Sequence, residues 1–331
     1  MKICVNCVLP ETFPGISFNQ NGLCNFCQEF KGREHLEKEK KKYRQKFEEL
    51  LNKFKDSSSY DALMAYSGGK DSTYTLSILK EKYNLKVLAL TFDNGFLSEQ
   101  AFKNIREVVE NLGMDHIFFK PDFSILKQIF LTGTKEDIFS RKSLDRASTI
   151  CTSCMGMVKF ITLRLALEKK IPFITYGWSP GQAPLSASIF KNNPSMLKQM
   201  QNAIKEPLFK TVGEKINPYF LEEKDFQEKK LFPYNISPLA FLEYDEEKIF
   251  EKMEKLGWNM PVDTDSNSTN CLLNSFANLV HKERFGFHPY AFELAKLVRE
   301  GYLQRDEALK RLEQVEDQNT LELVKKKLGL N

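Results

Sequence analysis

Ala65-Tyr66-Ser67-Gly68-Gly69-Lys70-Asp71-Ser72-Thr73 is the stretch whose reading decides the fold. Before it, Tyr60-Asp61-Ala62-Leu63-Met64 is short and largely apolar and predicts a buried strand. After it, Tyr74, Leu76, Ile78 and Leu79 fall on a predicted helix. Strand, glycine turn and helix together form a phosphate-holding geometry. Two glycines let the backbone approach an oxyanion closely, and the first N–H groups of a helix point outward without intrahelical partners. Ser67, Ser72 and Thr73 add hydroxyl donors, Lys70 a cation, and Asp71 a carboxylate suited to Mg2+. The stretch lacks the Gly-Lys-Ser/Thr ending of a Walker A loop, which argues against an ordinary P-loop NTPase.

Outward from this loop, predicted strands and helices alternate. Residues 86–92 read as a second strand ending in Asp93-Asn94-Gly95, and residues 101–112 as a helix stopped by Gly113. Residues 116–119 read as a third strand, and residues 171–176 as a fourth, followed by Gly177. Such alternation predicts an α/β fold, a doubly wound and mostly parallel sheet covered by helices on both faces. Ligands of such sheets bind beyond the carboxyl ends of the strands, so residues 67–72, 92–95 and 177–182 should converge. His116 reads as core or sheet edge, and His35 as solvated. Residues 183–235 are broken by prolines into short helices and loops. The expected division is residues 1–30, 31–56 (a charged helical connector), 57–235 (the loop domain) and 236–331 (a helical C-terminal region).

The 331 residues carry 48 Lys and Arg against 44 Asp and Glu, a net charge of +4 that permits a nucleic-acid substrate without requiring one. No apolar run in the sequence reads as a membrane span, and Met-Lys-Ile-Cys-Val-Asn-Cys lacks the apolar core of a secretion signal, so the expectation is a cytoplasmic protein with no membrane partner. The seven cysteines fall as Cys4-x-x-Cys7, Cys24-x-x-Cys27, Cys151-x-x-Cys154 and Cys271. An odd count at this spacing argues against a disulfide framework and for metal. Four sulfurs at Cys4, Cys7, Cys24 and Cys27 suit a closed tetrahedral Zn2+ site, which would make residues 1–30 a zinc ribbon too short to fold without it. Cys151 and Cys154 open a helical run, where the helix dipole should lower their pKa.

Ser-Gly-Gly-Lys-Asp-Ser resembles the signature of the PP-loop ATP pyrophosphatases, the adenine-nucleotide alpha-hydrolase superfamily. The resemblance implies ATP cleavage to AMP and pyrophosphate by adenylation of a carbonyl oxygen, with Ser67, Gly68, Gly69, Lys70, Asp71 and Ser72 on the phosphates. It also implies adenosine contacts at Phe92 and Asp93 and a substrate-facing segment from Gly177. The chain does not show the Gly-His-x-x-Asp-Asp form that some members have in that segment. The CxxC pair with a distant third cysteine is similar to the tRNA-thiolating members, which implies that Cys151, Cys154 and Cys271 hold a [4Fe–4S] cluster or carry persulfide. On that reading the chain is an ATP-dependent sulfurtransferase with Asp71 and the three thiols as catalytic groups, a sulfur donor as partner and a tRNA or small-molecule acceptor. The first cysteine pairs, and Gly286-Phe287-His288-Pro289-Tyr290 onward, are similar to N-acetyl sugar amidotransferases, which implies ammonia from a glutaminase partner instead. A homodimer is compatible with either. If thiolation is correct, the three thiols should meet within a cluster's width, open onto the ATP cavity towards Gly68 and Asp93, and lie apart from the four-cysteine site.

Overall fold

The computed structural model describes residues 2–227 and 232–330. Its first half runs α1 (Arg33–Phe54), β1 (Ala62–Ala65), α2 (Lys70–Ser77), β2 (Val87–Phe92), α3 (Glu99–Asn111), β3 (Asp115–Phe119), α4 (Phe123–Lys135), α5 (Thr149–Glu168) and β4 (Phe173–Tyr176). The second half runs β5 (Ile189–Lys191), α6 (Pro194–Val212), β6 (Tyr234–Ile236), α7 (Glu246–Glu254), α8 (Leu273–Phe285), α9 (Ala291–Glu300), α10 (Arg305–Glu313) and α11 (Gln318–Leu328), with shorter helical turns between. The strands form one sheet in the order β3-β2-β1-β4-β6-β5. Every pairing is parallel except β5 with β6.

Central strands covered on both faces need apolar residues at every position. Ala62-Leu63-Met64-Ala65 and Val87-Leu88-Ala89-Leu90 supply them, and their alternation divides the interior in two. Ala62, Met64, Val87 and Ala89 join one cluster with Leu76 and Leu79 of the α2 region, Ile105 and Val108 of α3, and Phe47 and Leu51 of α1. Leu63, Leu88 and Leu90 join the other, with Ile129 of α4, Phe160 and Ile161 of α5, and Leu197 of α6. Local signals start the flanking helices: the Ser98 hydroxyl accepts from the Ala101 N–H at 3.0 Å, and the Ser148 hydroxyl from the Cys151 N–H at 3.1 Å.

Two sequence expectations need correction. Residues 183–235 are not only helices and loops, because β5 and β6 extend the sheet from within and just beyond them. At three residues each, neither is long enough to show an alternating pattern. In addition, α5 is long and apolar enough to span a membrane. Its apolarity has a different cause: it lies inside the second cluster between the sheet and its neighbouring helices, with Ile150, Met157, Phe160, Ile161, Leu163 and Ala166 buried.

Candidate active site

β1 lies between β2 and β4, so the chain leaves it on opposite sides and a crevice opens beyond its carboxyl end. The loop 67–72 fills that position. Gly68 has φ +77°, and a Cβ there would come within 2.4 Å of the Ile105 side chain, so only glycine fits the turn. The Trp258 indole N–H donates to the Gly68 carbonyl at 2.9 Å, the Lys70 N–H donates to Thr269 Oγ1 at 2.9 Å, and the Ser67 and Ser72 hydroxyls are 3.0 Å apart. Thr73 is turned away from the loop: it is fully buried, with its hydroxyl 3.3 Å from Tyr66 OH.

Lys70 is already paired. Its ammonium donates to Glu246 Oε1 at 2.5 Å and to Tyr244 OH at 2.9 Å, and it lies 3.3 Å from Asp71 Oδ1. Tyr244 OH donates to Asp71 Oδ1 at 3.1 Å, and Arg311 holds the other oxygen of Glu246 at 2.7 Å. Burial opposes charge on both partners, yet Asp71, Tyr244 and Glu246 raise Lys70 overall, while Arg311 and Lys70 hold Glu246 down at about 2. A depressed carboxylate stabilises the fold at pH values above its unfolded pKa of 4.5 and loses that contribution as pH falls towards 2. Glu246→Gln should therefore flatten the acid limb of a stability–pH curve between about 4.5 and 2, measured by chemical denaturation at each pH. An acid limb identical to the parent would mean that the pair is not formed in solution.

Phe92 stacks on Phe119 with centroids 6.3 Å apart, and Asp93 accepts from the Gly95 N–H at 2.7 Å and pairs with Lys120 at 3.1 Å. Gly177 presses against α2: a Cβ there would lie 2.4 Å from Ser72 Cα and 2.6 Å from Ser72 N.

The three surplus cysteines gather at the same edge. Asn94, next after Asp93, directs one amide at two thiols, with Nδ2 3.3 Å from Cys271 Sγ and 3.8 Å from Cys154 Sγ. Asn274 Nδ2 lies 3.6 Å from Cys151 Sγ. An antiparallel bridge between Leu97 and Cys271 ties the third cysteine to the loop after β2. Residues 269–271 thus run from the nucleotide loop to the thiols: Thr269 holds the Lys70 N–H, Asn270 Oδ1 lies 3.2 Å from where a Gly69 Cβ would be, and Cys271 follows. The dipole expectation for the thiols is overturned. Burial pushes Cys151 up to about 11, and it raises Cys154 and Cys271 as well, so without a metal they are protonated at neutral pH. Among the described residues these three sulfurs are not gathered closely enough for one ion, as the four N-terminal cysteines are, so the half-buried thiols suit only a larger soft centre that spans them.

Cys4, Cys7, Cys24 and Cys27 form a second group, with all sulfurs within 4.8 Å of one another. Cys4–Cys27 and Cys7–Cys24 are 3.9 and 3.7 Å apart, close to the edge of about 3.8 Å expected for a tetrahedron with zinc–sulfur bonds of about 2.3 Å. Arg305 donates to the Cys7 and Cys4 carbonyls at 3.0 and 3.1 Å, and Phe13 stacks on Phe292 with centroids 5.5 Å apart. The module therefore sits on the C-terminal helices. Phe292, which the module meets, is the chain neighbour of Glu293, which accepts from the Ser179 hydroxyl at 2.7 Å beyond β4.

In the C-terminal region, His281 and His288 are buried, Lys282 pairs with Glu316, Arg284 with Asp137, and Arg299 reaches Cys27. A groove of about 730 Å³ lined by Arg164, Lys198, Lys205 and Phe226 includes none of the loop or thiol residues. Sequence reasoning missed Asn94, Tyr244, Glu246, Trp258, Thr269, Asn274 and Glu293. None of these belongs to a local motif.

Residues 61–172 match the family model described as "Queuosine biosynthesis protein QueC". The chain is 25% identical over 273 residues to "Uncharacterized protein MJ1599" of Methanocaldococcus jannaschii, covering 82% of this chain and 79% of that one. Among solved structures, it is similar to the U34-tRNA thiolase NcsA of Methanococcus maripaludis, with its [4Fe–4S] cluster, at 18% identity and a TM-score of 0.37, covering 96% of this chain and 90% of that one. It is also similar to the NMN synthetase of Francisella tularensis at 16% identity and a TM-score of 0.35, covering 85% and 98%. The matched segment holds β1, the glycine loop and β2, and it is there that this chain is similar to the PP-loop ATP pyrophosphatases.

Proposed function

We propose that the chain is an ATP-dependent sulfurtransferase that adenylates a carbonyl oxygen of its acceptor and replaces AMP with sulfur. One observation carries this reading: residues 269–271 touch the glycine loop at Thr269 and continue to Cys271, which shares the Asn94 amide with Cys154. The chemical difficulty is the leaving group. A carbonyl oxygen leaves poorly, whereas AMP leaves well, so the acceptor oxygen first attacks the α-phosphorus and expels pyrophosphate.

The chain's own groups divide this work. The loop amides and the hydroxyls of Ser67 and Ser72 hold the triphosphate. Lys70, now on Glu246, would exchange it for phosphate oxygens, and Asp71 beside it would be the carboxylate for Mg2+. Asn94 and Asn274 orient the sulfurs of Cys271, Cys154 and Cys151. A [4Fe–4S] cluster on these three, when bound, supplies a soft Lewis-acid iron without a protein thiolate. The acceptor is a tRNA base or a small carbonyl compound.

The test compares the parent with Cys271→Ser, both prepared and reconstituted without oxygen. The parent should carry iron and acid-labile sulfide and form a thiocarbonyl product from bulk tRNA or a small-molecule pool with ATP and sulfide. In the variant, product should fall at least about 100-fold, since losing a metal ligand exceeds the 10–100-fold cost typical of outer contacts. Pyrophosphate release should stay within a few-fold of the parent. Ammonium-dependent product that is unaffected by the substitution would instead favour amide transfer.

A further inference from the structure

The first turn of α9 lies between the two halves of the site. Tyr290, at its start, has its hydroxyl 3.2 Å from Asn274 Nδ2, the same amide that reaches Cys151 Sγ at 3.6 Å. Glu293 lies three residues on and so on the same face of the helix. Its Oε1 accepts from the buried Ser179 hydroxyl at 2.7 Å, in the segment that follows Gly177. The contact is built closely: a Cβ on Gly181 would lie 2.7 Å from Glu293 Cγ and from its carbonyl oxygen. Because Gly177 is pressed against Ser72, the segment that holds Glu293 through Ser179 adjoins the glycine loop where the chain leaves β1 and β4.

We propose that Glu293 is the proton acceptor for the nucleophile that displaces AMP, an assignment that rests on the adenylation and sulfur-transfer reading above. Hydrosulfide attacks the adenylated carbon and a C–S bond forms. The S–H proton then passes to the Glu293 carboxylate as the C–O bond to AMP breaks. Products are the thiocarbonyl, AMP and a protonated Glu293, which returns its proton to water, and no oxidant or reductant is consumed.

The electrostatics suit that task. Burial raises Glu293 to about 7, against the Ser179 and Gln182 hydrogen bonds that lower it. Asp71 adds to the rise and Lys70 opposes it. Of the other charged or titratable groups nearby, Tyr290 shares its helix, and Lys296, one turn on, is committed to the Pro180 and Ala183 carbonyls. A base poised near the working pH is the efficient one for proton transfer. Raised carboxylates elsewhere have other surroundings: Asp265 accepts from Asn278 at 3.3 Å, and Glu300 pairs with Lys296 at 3.7 Å.

The test uses the full chain reconstituted without oxygen, with bulk tRNA and a pool of small carbonyl compounds as acceptors, and sodium hydrosulfide or ammonium chloride as donor. Glu293→Gln should cut product formation by about 10²–10⁴-fold while pyrophosphate release stays within a few-fold. Glu293→Asp should restore part of it, and the parent's transfer rate should rise with pH through about 7. Infrared titration of the carboxyl band should show one group with a midpoint near 7 in the parent and none in Glu293→Gln. If product and pyrophosphate release fall together with a lowered melting temperature, Glu293 only props the Ser179 segment and the assignment is overturned. It is equally overturned by unchanged product, or by the absence of that titrating carboxyl. Failure of the sulfur reading looks different: the parent then makes product from ammonium alone, and the same variants are scored with that donor.

Discussion

Cys24→Ser should strip the metal from the four-cysteine module, taking zinc content from one per chain to near zero and lowering the melting temperature by roughly 10 °C. The size of the effect follows from how little else holds residues 2–30 together. The buried apolar residues there are Val8, Leu9 and Phe13 beside the cysteines themselves. Structural zinc contributes about 10–16 kcal/mol to the folding of comparable peptides at neutral pH. Docking to Phe287, Phe292 and Arg305 retains some of that, which is why the rest of the chain should stay folded. Elemental analysis and calorimetry check the result. A variant that lost its zinc but melted with the parent would show that the metal does not staple this module.

The second large effect belongs to Gly177→Ala. The added methyl would meet Ser72 Cα, N and Cβ at 2.4, 2.6 and 2.9 Å. These are atoms of the first turn of α2 and cannot rotate aside as a side-chain tip can. Overpacking of this kind costs about 1–3 kcal/mol and sometimes more. Here the displaced turn is also the proposed phosphate site, so ATP should bind at least about tenfold more weakly, a shift of about 1.4 kcal/mol. Calorimetric titration with a non-hydrolysable ATP analogue reads it directly. Parent-like affinity would mean that the strand β4 edge can yield, and that Gly177 is not a fixed wall of the crevice.

How much of this was visible in the sequence depends on how far apart in the chain the partners lie. The loop, the first four strands and the two cysteine pairs of the N-terminal module are local patterns, and each was readable in place. The clustering of Cys271 with Cys151 and Cys154 followed from the resemblance, not from spacing. Tyr244, Glu246, Trp258 and Thr269 were not readable at all. Each reaches the loop across more than 170 positions, from segments whose composition is that of an ordinary amphipathic helix or polar turn. The rise in the thiol pKa values was missed for a related reason. A helix N-terminus can be seen in sequence, but the burial that outweighs its dipole is a property of the assembled fold. Glu293 sits in Phe-Glu-Leu-Ala-Lys with nothing to set it apart until Ser179 meets it.

The bridge between Leu97 and Cys271 also fixes when the site can exist. A ribosome adding about 5–20 residues per second needs roughly 6–23 s to travel from Cys154 to Cys271. From residue 176 onward, most of that interval, the nascent chain has its glycine loop, its first four strands and a pair of thiols. It still lacks the segment that caps Lys70 with Thr269 and brings the third sulfur. Nucleotide holding and nucleophile supply are therefore completed by one late stretch of polypeptide in a single docking event. On the proposed reaction, the capacity to activate an acceptor arrives together with the means to discharge it.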